Sequence, residues 1–429
     1  MTSRRDPAFY DGWDDPLVSF REGCRWGAGS DAGNRSRWET WLTRRGVAHE
    51  WVSRVNLGEL GASTVLEAPY VMVAPPPRTT GPMTHPFAGP GEAVAIQSNG
   101  ARFVEVENAA IVGGWDVIRT RDGACFPALD LGPEVGIVSN ALDQRLIGWT
   151  GDHLVLRRES GPAFANVGEA IFACGEHSTQ FGHWMMDYVP RLLAVRGMRD
   201  RPATVLVDEG QPPNAIWWLR KVLPDAEILE VPVGRSVTAE RLVVPIQRAC
   251  YPVGWRDPLE LTPEIWPVDT RAAVQLRDLA NVGDAALPHR AEAPRRLWFA
   301  RRYGTQRALA NQDEIAASLT EQGFEVMYPE DETPDSMAVH LSETAMVVAP
   351  GGSALYNLLN ARAGLRVVVL LGPVMFSRGT FAALLPALGH RAVFVGGRAV
   401  ADEGRTPYEN LQRPFTISVD DVMAGIAEV

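Results

Sequence analysis

Two residues four positions apart, His183 and Asp187, stand in the segment Gly182-His183-Trp184-Met185-Met186-Asp187-Tyr188-Val189-Pro190-Arg191-Leu192. On a helix this spacing places imidazole and carboxylate on one face, where they can hydrogen-bond or act on one substrate proton. Either can serve as a base, and the competing reading is a buried histidine satisfied by its neighbour. Pro190 kinks the helix or marks a boundary near it. His177, preceded by Gly175 and Glu176, lacks such a partner in the sequence and reads as structural.

A second constellation is cationic. Phe299-Ala300-Arg301-Arg302 ends an apolar run, and Arg307 follows before Asn311 opens a helix. Arginine at the carboxyl end of a strand points toward the crevice in which α/β sheets hold ligands, and guanidinium groups suit phosphate oxygens. Without a partner feature these arginines would be a solvated cluster. The third constellation supplies that feature: Val347-Val348-Ala349-Pro350-Gly351-Gly352-Ser353-Ala354 is an apolar strand, paired glycines and a hydroxyl residue placed to cap a helix. Glycines clear the way for a phosphate, and a helix N-terminus offers unpaired N–H groups to it. A tight turn is the other use of such glycines. No GK[ST] follows, so the segment is not a Walker motif, nor is it GxSxG.

The elements that must position these groups alternate strand and helix from about residue 168. Strand-like runs are 169–174, 204–208, 226–231 and 241–246, with helical runs at 181–195 and 213–223, then 262–279. The stretch 281–294 is rich in Gly, Pro and Ala without periodicity and reads as a linker. Alternation resumes with strands at 296–300, 324–328, 345–349 and 366–371, and with helices at 311–322, 334–343 and 376–388 and one that Pro350-Gly351-Gly352-Ser353 opens and that runs through Arg362. Such alternation implies parallel sheets covered on both faces, with ligand at the carboxyl ends of the strands. The first 155 residues differ. They carry five tryptophans by Trp51, a Pro/Gly-rich stretch from Ala74 to Pro90, and short alternating runs at 101–106 and 110–118 that read as strands. The tryptophans suit either an acceptor platform or core packing.

The bulk numbers exclude several classes. A chain of 429 residues with 46% hydrophobic and 22% charged content is globular and long enough for two or three domains. Its formal charge of −11 argues against a nucleic-acid or anionic-membrane partner. Cys24, Cys125, Cys174 and Cys250 show no metal spacing and read as free thiols of a reducing compartment. No apolar run approaches the roughly 18 to 20 residues of a membrane helix, and the start, MTSRRDPAFYDGWDDP, does not read as a signal peptide. A cytoplasmic location is expected. A dinucleotide fold of the GxGxxG type is disfavoured by the absence of that motif after a strand.

Taken in order, these segments resemble glycosyltransferase family 61. The family's HW-x-x-D-x-x-PRL segment is similar to His183 through Leu192. Its Ser-Arg-Arg strand end, later Arg, Asn-Glu helix start and Gly-Phe-x-Val strand resemble Ala300-Arg301-Arg302, Arg307, Asn311-Gln312 and Gly323-Phe324-Glu325-Val326. Its PHGAxLxN segment is similar to Pro350 through Asn357. The departures are Gly351 for His, Ala300 for Ser, Gln312 for Glu, and a strand ending in Leu370-Leu371 without an acidic residue.

The resemblance implies an α/β, GT-B-like fold: two Rossmann-like doubly wound lobes facing a cleft, with a β-rich N-terminal module. The expected boundaries are residues 1–160 for that module, 161–290 for the acceptor lobe and 291–429 for the donor lobe. It implies an inverting transfer from a nucleotide-diphosphate sugar, expected to be UDP-linked, to a hydroxyl of a glycan or glycoconjugate, as in polysaccharide biosynthesis. The catalytic pair would be His183 and Asp187. Donor binding would fall to Arg301, Arg302, Arg307, Asn311, Gly351, Gly352, Ser353 and Asn357. With no DxD at a strand end, metal-independent catalysis is expected. The departures at Gly351 and Gln312 keep an alternative open, a catalytically silent GT-B-like module that binds sugar nucleotide or glycan.

Overall fold

A computed structural model describes residues 39, 42–43, 48–74, 78–80, 94–98, 100–125, 127, 146–149, 153–158, 162–175, 177–198, 200–246, 248, 250–252, 269–280, 294–302, 307–372, 378–400 and 413–429. The linker stretch 281–293, the first part of the helical run expected at 262–279, and four of the five early tryptophans lie outside them. Trp51 is the exception. The protein is mixed α/β, and its two largest sheets are separate from one another.

In the first sheet, Thr204–Asp208 lies between Ala165–Ala173 and Glu227–Val231, all three parallel. Ser236–Pro245 joins the far side of Ala165–Ala173, and Ala101–Val112 pairs with it antiparallel. The buried runs Ala170–Ala173 and Val205–Val207 explain the parallel core, since a strand covered on both faces carries apolar residues without alternation. Two short strands expected at 101–106 and 110–118 are a single strand, Ala101–Val112. Asn108 carries a φ of 51° within it, a left-handed kink that Asn tolerates and that reads in sequence as a break.

The second sheet is parallel throughout. Its order is Glu325–Met327, Arg295–Phe299, Thr344–Pro350, Arg366–Leu371, Arg391–Gly396 and finally Arg78–Thr80. The chain starts at Arg295–Phe299, adds one strand on one side, and then builds outward from Thr344–Pro350 on the other. The order therefore reverses between those two strands, and ligand crevices form at the carboxyl ends beside such a reversal.

Residues 1–160 read in sequence as a separate β-rich module. Several described strands from that span join the large sheets instead: Gly61–Glu67 pairs with Ala101–Val112 in the first, and Arg78–Thr80 adds the edge of the second. One continuous cluster of buried side chains links the sheets, from Ile171, Trp184 and Trp218 to Leu297, Val347 and Tyr356. Burying each such large apolar side chain is worth about 1.5 to 3 kcal/mol. Between helices of the two halves, Nε1 of Trp217 donates to Asp335 Oδ1 at 3.0 Å. Beyond the last helix that the sequence pattern predicts, the strand Arg391–Gly396 and the capped helix Val419–Glu428 complete the second half.

Candidate active site

The His183 and Asp187 segment is not a regular α-helix. Phe181–His183 is a helical turn, Trp184–Tyr188 is π-helical, and Val189–Arg196 resumes the α form. Val189 N–H donates to the Trp184 carbonyl five residues back. Pro190 supplies the reason, because it has no N–H to donate and its ring clashes with the carbonyl four residues earlier, so the turn before it widens. The widened turn keeps the pair together: Nδ1 of His183 lies 2.9 Å from Asp187 Oδ2, both side chains partly exposed. A carboxylate only accepts, so Nδ1–H donates, and in the neutral imidazole the lone pair then falls on Nε2. This is the tautomer a general base needs.

His177, read in sequence as structural, belongs to this group. Its ring lies 4.8 Å from that of His183, tilted by 30°. Its backbone takes a left-handed φ of 59°, and Gln180 Nε2 lies 2.8 Å from its Nδ1. The loop that carries it is anchored from below by Asp208, at the end of Thr204–Asp208. The buried carboxylate accepts from Gly175 N–H at 2.8 Å, Gly114 N–H at 2.5 Å and the Ser178 hydroxyl. Burial pushes the Asp208 carboxyl above its ordinary value, and the Ser178, Gly175, Gly114 and Cys174 hydrogen bonds oppose that push. An acidic residue ending the buried run TVLVD was the visible sign of such an anchor. Arg191 of the Pro-Arg-Leu segment points inward, its guanidinium 4.2 Å from the centre of the Tyr188 ring.

On the second sheet, Arg301 follows Arg295–Phe299 and the glycine pair follows Thr344–Pro350, so both sit at the reversal of strand order. Nη2 of Arg301 donates to the Gly351 carbonyl at 2.7 Å, bridging it. Desolvation by burial, then the charge of Arg307, lower the Arg301 pKa to about 10, with Glu330 opposing. Its charge is thus held at a cost that an anion would offset. The glycines were expected to make room for a ligand's phosphate. In the structure the space a Cβ would need at Gly352 holds the Arg301 guanidinium, and at Gly351 it holds a methyl of Leu371. A histidine at 351 would therefore displace Leu371. Ser353 opens a 3-10 helix, Ser353–Asn360, where an α-helix was expected.

The remaining sequence candidates are spent elsewhere. Arg302 forms an ion pair with Asp331 Oδ2 at 2.6 Å and lies over the Tyr328 ring. Asn311 donates to the Ile417 carbonyl at 2.8 Å and to Glu314 Oε2, tying its helix to the C-terminal segment. Asn357, buried, donates to Ala354 within its own helix. Gln312, which the sequence pattern marks only as a departure from Glu, is a partner of the site: its carboxamide bonds to both backbone groups of Arg301.

The two halves of the site touch. A Cβ on Gly182 would stand 3.2 Å from that of Ser353, so glycine there lets the turn bearing His183 lie against the turn held by Arg301. Tyr356, one 3-10 turn beyond Ser353, is buried at this seam, and burial, then the Asp187 charge, push its hydroxyl well above the usual range. Among the described residues no group of three His, Cys, Asp or Glu is disposed to hold a metal ion, and no helix is long and apolar enough to cross a membrane. Such an arrangement can take a proton from a hydroxyl on one side and receive an anionic leaving group on the other. The family model described as Glycosyltransferase 61 matches residues 181–368, a span that holds both half-sites. No curated protein matches the chain.

Proposed function

From the premise that the chain belongs to glycosyltransferase family 61 and is a glycosyltransferase, we propose an inverting enzyme that moves a sugar from a nucleotide-diphosphate donor to a hydroxyl of a glycan or other glycoconjugate. The observation that carries this reading is the contact of Gly182 with Ser353. It places the His183 and Asp187 pair beside the turn that Arg301 braces.

In this reading Nε2 of His183 accepts the proton of the acceptor hydroxyl while Asp187 steadies the resulting imidazolium. The acceptor oxygen attacks the anomeric carbon from the face opposite the diphosphate, the bond from that carbon to the phosphate oxygen breaks, and the configuration inverts. Arg301, with the charge of Arg307 nearby, and the N–H groups following Gly352 stabilise the departing diphosphate. Preorganised donors of this kind supply about 3 to 4 kcal/mol each where charge develops. Arg302, Asn311 and Asn357 frame the site without touching the donor. The two separate sheets support a GT-B arrangement, with residues 161–290 at the centre of the acceptor lobe and 291–429 at the centre of the donor lobe, each completed by strands from residues 1–160. A UDP-linked donor, metal-independent catalysis, a cytoplasmic location and a role in polysaccharide biosynthesis complete the proposal.

The test is incubation with a panel of sugar nucleotides and candidate acceptors, following free nucleoside diphosphate and the anomeric configuration of the product by NMR. Release that His183→Ala lowers by about two to four orders of magnitude and Asp187→Ala lowers by less, with an inverted product, is expected. Release equal in parent and variants, or a retained configuration, would sink the assignment.

A further inference from the structure

We propose that Gln312 is the positioning residue for Arg301, its carboxamide clamping the backbone of that arginine so that the guanidinium is aimed at a diphosphate over the Gly351-Gly352 turn. The inference rests on the donor-site reading above. Arg301 N–H donates to Gln312 Oε1 at 2.9 Å, and Gln312 Nε2 donates back to the Arg301 carbonyl at 3.0 Å. Strand pairing has ended by this point, the last bond of its kind being Ala300 N–H to the Met327 carbonyl at 2.8 Å. The side chain therefore replaces a neighbouring strand for one residue. At the next residue Glu330 Oε1 takes over, accepting from Arg302 N–H at 3.0 Å.

Two consecutive backbone units fixed in this way set the direction in which the Arg301 side chain leaves the backbone, and its guanidinium ends at the Gly351 carbonyl, in the space above Gly352. The helix start does not need Gln312, because Asn311 already ties it to Ile417. Only a group that both accepts and donates can satisfy N–H and C=O together, which a carboxamide does and a carboxylate does not. Glutamine at 312, where the family pattern has glutamate, is thus matched to the backbone it holds and is no sign of a silenced site.

The experiment is calorimetry of UDP, inorganic pyrophosphate and uridine binding to the full chain. The proteins compared are the parent, Gln312→Met, Arg301→Met and the double variant. Gln312→Met is expected to weaken UDP and pyrophosphate roughly tenfold and leave uridine unchanged. In the Arg301→Met background it should add nothing, since the two residues act as one unit. Should Gln312→Met fail to fold, Gln312→Glu keeps the acceptor alone and is expected to show a smaller loss of the same kind. A Gln312 variant that binds diphosphate like the parent, loses uridine equally, or adds its full effect to Arg301→Met overturns the clamp. A parent that binds UDP tightly yet transfers no sugar fails the transfer reading and leaves the clamp standing, while a parent that binds neither anion overturns both.

Discussion

Nη2 of Arg301 lies 2.7 Å from the Gly351 carbonyl oxygen and fills the space a side chain on Gly352 would need. Gly352→Ala is therefore expected to push the guanidinium aside at a small cost in stability, because the displaced group is the far end of a flexible side chain. Diphosphate affinity should fall with it. Thermal unfolding and calorimetry on the same sample check both; wild-type affinity would show that the guanidinium is free to relocate.

Gly351→His, which introduces the residue the family pattern carries, meets Leu371. It should lower the melting temperature, and Leu371→Ala in the same chain should recover much of the loss because it vacates the contested space. A single variant as stable as the parent would mean that the two strands part easily there.

The two arginines at the strand end should differ. Arg301→Ala is expected to cost about 1.5 to 3 kcal/mol in nucleoside diphosphate binding, the loss of a charge-assisted bond, with nucleoside binding little changed. Arg302→Ala breaks an exposed ion pair with Asp331 and should cost about 1 kcal/mol or less. Equal losses in titration calorimetry would place both guanidinium groups on the ligand.

His183→Ala should lower turnover by about two to four orders of magnitude while donor binding stays intact, as expected for a general base. Asp187→Asn should keep measurable turnover, because it removes the orienting carboxylate and leaves the imidazole. Single-turnover kinetics with saturating donor decide the matter. Complete loss in Asp187→Asn beside residual activity in His183→Ala would reverse the two roles.

His390, buried with Nε2 against the Leu358 carbonyl, has its pKa lowered by burial to about 4. Its folded-state pKa is depressed, so between pH ~6.5 and ~4 the unfolded chain binds the extra proton. The stabilisation is present above pH ~6.5 and lost as pH falls toward 4, a change on the order of 3 kcal/mol. Urea unfolding at stepped pH should show this slope, and His390→Leu should flatten it. An identical slope in the variant would assign it to other groups.

Much of the outline was legible in the residues themselves. Apolar runs such as Val205–Val207 and Val367–Leu371, rich in β-branched residues and set in the strand and helix alternation, read as buried strands, and the four-residue spacing of His183 and Asp187 placed them together on a helical turn. Local chemistry was enough for these because burial and i,i+4 contact are properties of a short segment. The π-turn was half visible, since Pro190 announced an irregularity without saying which kind. Other features lay beyond reach. Asn108 looked like a break in a strand that it only kinks, and the glycine pair looked vacant where Arg301 and Leu371 fill the space. His177, Asp208 and Gln312 gained their partners from residues that are distant in sequence or turned toward them by loop geometry. The sequence thus determined most of the strands and helices of the two large sheets and set an imidazole and a carboxylate four residues apart. Which of Arg301 and Arg302 faces the Gly351-Gly352 turn, and the meeting of Gly182 with Ser353, were decided by tertiary structure, because hydrogen bonds and close contacts between separate segments depend on register and packing that no local pattern encodes.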